Sequence, residues 1–281
     1  MEPVYTPVIA FARALFATEG LRFRITGSEN IPREGGAVIV MNHLSYFDFA
    51  YAGLAAVPSG RVVRFMCKHT IFEHPVAGPL MRGMKHLPVD RENGSASFRA
   101  AVDALKAGEL VGVFPEATIS RSFELKEFKS GAVRMAQAAG VPVIPVVLWG
   151  SQRVWTKGHP KRLGRTNTPI SIDVGAPLHL AKGGRASQEG LTELRNRMTT
   201  MLQAAQDAYP TVPWEERALV PARLGGTAPT LEEATRMDLE EIAARRAARL
   251  AEADRIAGGT GAGAVPGDPT EVTAQPEAPT P

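Results

Sequence analysis

Two side chains in this 281-residue sequence stand at a spacing suited to proton transfer: His43 and Asp48, in the run Asn42-His43-Leu44-Ser45-Tyr46-Phe47-Asp48. The run follows residues 37–41 (AVIVM), a β-branched stretch that reads as a buried strand. A His and an Asp just past such a strand lie at the rim of a sheet, where open α/β proteins hold their sites. With a helix beginning at Ser45, His43 stays in the loop and Asp48 falls in the first turn, ready to bond one imidazole nitrogen. That bond fixes the tautomer and leaves the other nitrogen to take a proton. No serine or cysteine nucleophile has a comparable setting, so the base is expected to act on a hydroxyl that belongs to a substrate. The competing reading is structural. Ser45-x-x-Asp48 is also a capping box, in which Asp48 only satisfies backbone donors. No second His or Cys stands at ligand spacing, so no metal site is expected.

The elements that must hold this pair follow from periodicity. Residues 21–26 (LRFRIT) alternate apolar and basic side chains, as a half-exposed strand does. Residues 61–66, 110–114 and 143–149 are further strand candidates, and 170–175 (ISIDVG) a late one. Residues 97–106, 131–139 and 188–209 read as helices, the first ended by Gly108. This alternation predicts an α/β domain over 1–210, with a largely parallel central sheet flanked by helices. Residues 7–15 (PVIAFARAL) are helix-prone, and two readings stay open for the 1–20 segment: an interfacial helix lying on a membrane, or an ordinary helix packed on the core. Pro213, Pro221 and Pro229, with Gly225 and Gly226, predict a linker over 211–229. Thr230, with Glu233 three residues later, begins a charged helix over 230–257. The Gly, Pro, Thr and Ala of 258–281 predict a disordered tail.

Composition excludes several classes. With 32 Lys+Arg against 29 Asp+Glu the net charge is +3, far from the cationic profile of a nucleic-acid binder. The single cysteine, Cys67, rules out an intrachain disulfide framework and fits a reducing compartment. No apolar run approaches the roughly 18–20 residues a membrane span needs. Glu2 stands where the basic region of a cleavable signal would sit. The chain is expected to be peripheral to a membrane and not to cross it.

Three further blocks follow in order: Gly83-Met84-Lys85-His86-Leu87-Pro88-Val89-Asp90-Arg91, then Phe114-Pro115-Glu116-Ala117-Thr118-Ile119-Ser120, then Val141-Pro142-Val143-Ile144-Pro145-Val146. With the His–Asp block they resemble the four ordered motifs of the glycerolipid acyltransferase family that includes lysophosphatidate acyltransferases. The family pattern is NHxxxxD, a segment ending in Asp-Arg, FPEGTRS, and a proline-flanked apolar strand. The resemblance covers about residues 20–180 and includes the connecting pieces Lys68-His69-Thr70-Ile71-Phe72 and Phe128-Lys129-Ser130-Gly131-Ala132.

That resemblance implies His43 as general base and Asp48 as its orienting partner. It implies Arg91 as the group that binds the acceptor's phosphate and Glu116 as one that positions the glycerol hydroxyl. Lys68 is a further phosphate-binding candidate, and Asn42, Thr118 and Arg121 complete the substrate-binding set. Outside the family context Arg91 reads as a surface arginine paired with Asp90, and Lys68 as a solvated lysine. The reaction implied is transfer of a fatty acyl group from acyl-CoA or acyl-carrier protein to a lysophospholipid, 1-acyl-sn-glycerol-3-phosphate first. It would run at the cytoplasmic face of the cell membrane, with no cofactor, metal or nucleic-acid partner.

The third block departs from the pattern, reading PEATIS for PEGTRS. Ala117 replaces a glycine and restricts the loop. Ile119 removes an arginine that faces the acidic head group, a charge that Arg121 or Lys126 could supply. The departure leaves two alternatives: another acceptor in the same fold (glycerol-3-phosphate, a glycolipid or an ornithine-type lipid), or a catalytically silent lipid-binding protein.

Overall fold

The computed structural model describes residues 2–90, 94–181 and 183–259. In chain order the elements are α1 (Tyr5–Thr18), β1 (Arg22–Thr26), β2 (Ala37–Met41), α2 (Asp48–Gly53), β3 (Val63–Lys68), α3 (Thr70–Glu73), α4 (Ala77–Gly83), β4 (Leu87–Val89), α5 (Gly94–Lys106), β5 (Leu110–Val113), α6 (Gly131–Ala139), β6 (Val143–Trp149), β7 (Pro169–Val174), α7 (Gly184–Asp207) and α8 (Leu231–Gly259). The strands form one seven-stranded sheet in the order β1-β7-β6-β2-β5-β3-β4. β6, β2, β5, β3 and β4 are mutually parallel. β7 joins β6 antiparallel, and β1 runs parallel to β7.

The pattern of β2 explains its central position. Val38 and Val40 pack into one core, with Leu105 of α5, Val133 of α6 and Leu194 of α7. Ala37, Ile39 and Met41 pack into the other, with Phe16 of α1 and Tyr51 of α2. A strand covered on both faces has no polar side to show, hence the unbroken apolar run. β6 is equally buried despite Pro145. That residue pairs with Val40 of β2 at the very edge of the β7 ladder, one position before its first pair at Val146, and its carbonyl still accepts from Gly175 N–H at 2.8 Å. A proline is tolerated there because the ladder has only begun.

α1 is both packed and exposed. Tyr5 Oη donates to Val63 O at 2.7 Å, and Phe16 meets Tyr51 with ring centroids 5.0 Å apart. On another face Phe11 is 71% and Leu15 41% exposed.

The chain beyond α7 corrects one expectation. Residues 211–229 are not a spacer but part of the compact unit that runs to Ala234. Two 3₁₀ turns, Trp214–Leu219 and Ala222–Leu224, follow Pro213 and Pro221, whose extended backbone (ψ 147° and 146°) sets up each turn. Leu219 and Ala228 enter the core, and Glu216 pairs with Arg153 (2.5 Å) and Arg162 (2.7 Å). Prolines and glycines shape a strap here because apolar residues between them reach the core. The capping box of α8 forms as its sequence predicts: Glu233 N–H donates to Thr230 Oγ1 at 3.3 Å, and Thr230 N–H to Glu233 Oε2 at 2.8 Å. Residues 260–281, most of the expected tail, lie outside the described residues.

Candidate active site

β6, β2 and β5 are parallel neighbours, so their carboxyl ends open on one rim, and the loop after each carries part of the site. After β2, Asn42 keeps to the sheet. Its Nδ2 donates to Leu148 O at 2.9 Å and its Oδ1 accepts from Leu148 N–H at 2.7 Å, so a fully buried carboxamide links β2 to β6.

The main chain of His43 is clamped from the β5 side. His43 N–H donates to Glu116 Oε1 at 2.9 Å, and its carbonyl accepts from Ser120 N–H at 2.8 Å. The ring stacks on Phe114, centroids 4.1 Å apart and planes 23° from parallel. Its Nδ1 lies 3.0 Å from Asp48 Oδ2. A carboxylate accepts only, so the proton belongs on Nδ1 and the lone pair on Nε2. Asp48 is fully buried, whereas the imidazole is 21% exposed. The pair is held from inside and open from outside.

Asp48 does more than orient the ring. Oδ2 also accepts from Leu44 N–H and Ser45 N–H, both at 2.6 Å. Ser45 Oγ accepts from Phe47 N–H at 3.1 Å. α2 begins at Asp48, three residues later than expected, with Phe47 at its N-cap and no side-chain cap; the Leu44 and Ser45 donors and the imidazole share one oxygen. The other oxygen, Oδ1, is buried without a hydrogen-bond partner among the described residues.

Glu116 is buried behind the pair. It accepts from His43 N–H and, through Oε2, from Lys126 N–H at 3.0 Å. Burial pushes its carboxyl up to about 7, against the pull of those two donors and of the nearby His43 and Lys126 charges. Between its ordinary value of 4.5 and about 7, the folded chain thus holds a proton that the unfolded chain has released. Stability should fall as pH rises through that window, by about 1.4 kcal/mol per unit and roughly 3 kcal/mol in all. Urea unfolding from pH 5 to 8 checks this, and the slope should flatten in Glu116→Gln.

The remaining predicted residues scatter along the rim. Lys68 ends β3, exposed, beyond β5. Thr118 accepts from Lys126 Nζ. Arg121 lies against Gly158 and His159 of the loop after β6, and its charge adds to burial in lowering the His159 pKa. Arg91 lies outside the described residues. The structure thus joins His43, Asp48 and Glu116 directly and leaves Asn42 in the sheet. Sequence reasoning missed Phe114, though it opens the third block, and also the loop after β6, which carries no motif.

The two altered positions have distinct consequences. Ile119 is buried, so its side chain packs inward. Ala117 adopts φ 63°, a left-handed conformation. An L side chain there costs roughly 1–2 kcal/mol, more than the roughly 0.4–1 kcal/mol of unfolded-state entropy that glycine adds. Because Ala117 is exposed, no packing is lost on trimming it. Ala117→Gly should stabilise the protein by about 0.5–1 kcal/mol, read as a higher urea midpoint.

The fold and site define an α/β protein with a buried-carboxylate histidine at the carboxyl rim of its parallel strands. The sequence profile described as Acyltransferase matches residues 22–149. The 1-acyl-sn-glycerol-3-phosphate acyltransferase of Bacillus subtilis is 31% identical over 162 residues, covering 56% of this chain and 74% of the relative. The enzyme of the same name from Borreliella burgdorferi is 29% identical over 184 residues, covering 62% and 69%. The crystal structure of the 1-acyl-sn-glycerophosphate (LPA) acyltransferase PlsC from Thermotoga maritima shares the fold, with a TM-score of 0.60 at 23% identity over 73% of this chain and 81% of that one. This chain belongs to the acyltransferase family.

Proposed function

We propose that this acyltransferase moves a fatty acyl group from acyl-CoA or acyl-carrier protein to the free hydroxyl of 1-acyl-sn-glycerol-3-phosphate, giving phosphatidic acid. The observation that carries the reading is the His43–Asp48 contact of 3.0 Å with Nε2 left as the base. The relatives' names support the acceptor.

In this mechanism Nε2 removes the proton of the acceptor hydroxyl as that oxygen attacks the thioester carbonyl carbon. A tetrahedral intermediate forms, and Asp48 stabilises the imidazolium. The carbon–sulfur bond then breaks, the imidazolium returns its proton to the departing thiolate, and the products are an ester and a thiol. No covalent acyl-enzyme is required.

A second acceptor remains a specific alternative because Ile119 is buried where the family has an arginine facing the head group. The lipid acceptor calls for work at an interface, and the exposed Phe11 and Leu15 of α1 support peripheral attachment, which we assign to the cytoplasmic face of the membrane. Among the described residues no helix is long and apolar enough to cross a bilayer.

The test is the purified enzyme on vesicles, offered palmitoyl-CoA or palmitoyl-carrier protein with a panel of acceptors. Phosphatidate formed from lysophosphatidate in preference to the others is the expected result. Product only from glycerol-3-phosphate, a glycolipid or an ornithine lipid would replace this acceptor.

A further inference from the structure

The loop after β6 is basic and locked against the catalytic histidine. Residues 155–165 (WTKGHPKRLGR) contain Lys157, Lys161, Arg162 and Arg165 and no acidic residue, in a chain whose net charge is only +3. Three bonds pin the loop to the residues just after His43. Trp155 O accepts from Tyr46 N–H at 3.1 Å and from Ser45 Oγ at 2.8 Å, and Thr156 Oγ1 donates to Leu44 O at 2.6 Å. Arg162 N–H closes the loop on Val154 O at 2.8 Å.

The loop is therefore a fixed part of the rim. Of its cations, Arg162 is paired with Glu216, Arg165 lies against Gly20 at the turn between α1 and β1, and Lys161 is exposed. Lys161 Nζ stands 4.2 Å from the centroid of the Trp155 ring. Tyr46, 43% exposed, lies on the same indole with centroids 4.5 Å apart.

We propose that Tyr46 and Lys161 form the subsite for the nucleotide half of a CoA thioester, a phosphate meeting the Lys161 ammonium and the adenine lying on the Tyr46 ring. The proposal rests on the acyl-transfer reading above and names the donor it uses. Cations recognise phosphates wherever they occur, but an exposed aromatic face among them adds a stacking surface for a base. The acidic helix of a carrier protein would use the charges and leave the ring idle.

Position separates this subsite from the acceptor's. The loop lies on the β6 side of β2, whereas Lys68 and the segment leading to residue 91 lie on the far side, after β3 and β4. Donor and acceptor would then reach His43 from different sides, so that both can be bound at once, as direct transfer in a ternary complex requires.

The experiment compares the full chain with Lys161→Glu and with Tyr46→Ala, both at exposed positions. Calorimetry with desulfo-CoA reads binding without turnover, and the expected loss is about tenfold in Kd for each variant. In turnover, KM for palmitoyl-CoA should rise by a similar factor. KM for lysophosphatidate, and for palmitoyl-N-acetylcysteamine, which lacks the nucleotide, should move by less than about twofold. Unchanged desulfo-CoA binding in either variant overturns the subsite. A rise in lysophosphatidate KM instead assigns the loop to the head group, and a defect confined to palmitoyl-carrier protein assigns it to that protein; either overturns the subsite too. If the wild type forms no phosphatidate from any donor, the acyl-transfer reading fails, while the calorimetry still decides whether the loop binds CoA.

Discussion

Replacing His43 by alanine is expected to leave a folded protein whose kcat for acyl transfer is lower by about 10³-fold. The two effects separate because the backbone and the ring of His43 have different partners. The main-chain bonds to Glu116 and Ser120 survive the substitution. The ring contributes its stacking on Phe114, worth roughly 0.5–1.5 kcal/mol, and one of the three donors to Asp48 Oδ2, worth roughly 1.5–3 kcal/mol, together less than a typical folding stability. Removing Nε2 removes the base, with no second imidazole among the contacts described at Asp48. Circular dichroism and a thermal melt near the wild type, together with steady-state rates, check both halves. A variant that still transfers acyl groups at near-native rates ends the general-base mechanism.

Asp48 should behave differently according to what replaces it, because its charge and its three bonds can be parted. All three donors converge on Oδ2, and Oδ1 has none among the described residues. An asparagine can set its carbonyl oxygen at the Oδ2 position and keep every bond, while its NH₂ takes the Oδ1 position without an acceptor. Asp48→Asn should therefore fold, less stable by roughly 1–3 kcal/mol. Its kcat should fall about 10²–10³-fold, because the imidazolium loses its counter-charge. Asp48→Ala strands Leu44 N–H and Ser45 N–H in a buried site, at roughly 1–3 kcal/mol each. That sum approaches the whole stability of many domains. Alanine should thus fail mainly in folding and asparagine mainly in turnover. Urea midpoints and kcat measured on the two variants side by side decide the matter. An asparagine variant as active as the wild type would show that the carboxylate is needed only as a cap.

The site divides into a part that local sequence reveals and a part that it does not. His43 and Asp48 are five positions apart, and one helix start joins them, so spacing alone predicts their contact. The helix expected from Ser45 begins at Asp48 without a side-chain cap, and the backbone donors of Leu44 and Ser45 share the oxygen that faces the imidazole. The clamp from Glu116 to the His43 backbone spans 73 positions and exists because β2 and β5 are neighbours. No residue pattern states that order, because several arrangements bury the same strands.

The fold shows a similar division. β2, β6 and α6 begin and end where their patterns predict, since burial or a clean helical period marks every residue. β3 lies two residues later than expected because its partners set its ends: Val63 pairs with Leu110, where β5 begins, and Met66 to Lys68 pair with β4. α3 and α4 carried no signal. Each is short, and Ile71 of α3 and Leu80 of α4 are exposed, so apolar spacing there traces no buried face.

The carboxamide of Asn42 has a consequence for how the chain can open at all. A peptide group offers one donor and one acceptor, and this side chain offers the same two to Leu148. It stands in for a further rung between β2 and β6 after the main chain has turned away. Aspartate would set two oxygens against a carbonyl, and glutamine would overshoot by a methylene. Slow hydrolysis of this one amide would thus unfasten neighbouring strands at the point where the imidazole departs from them.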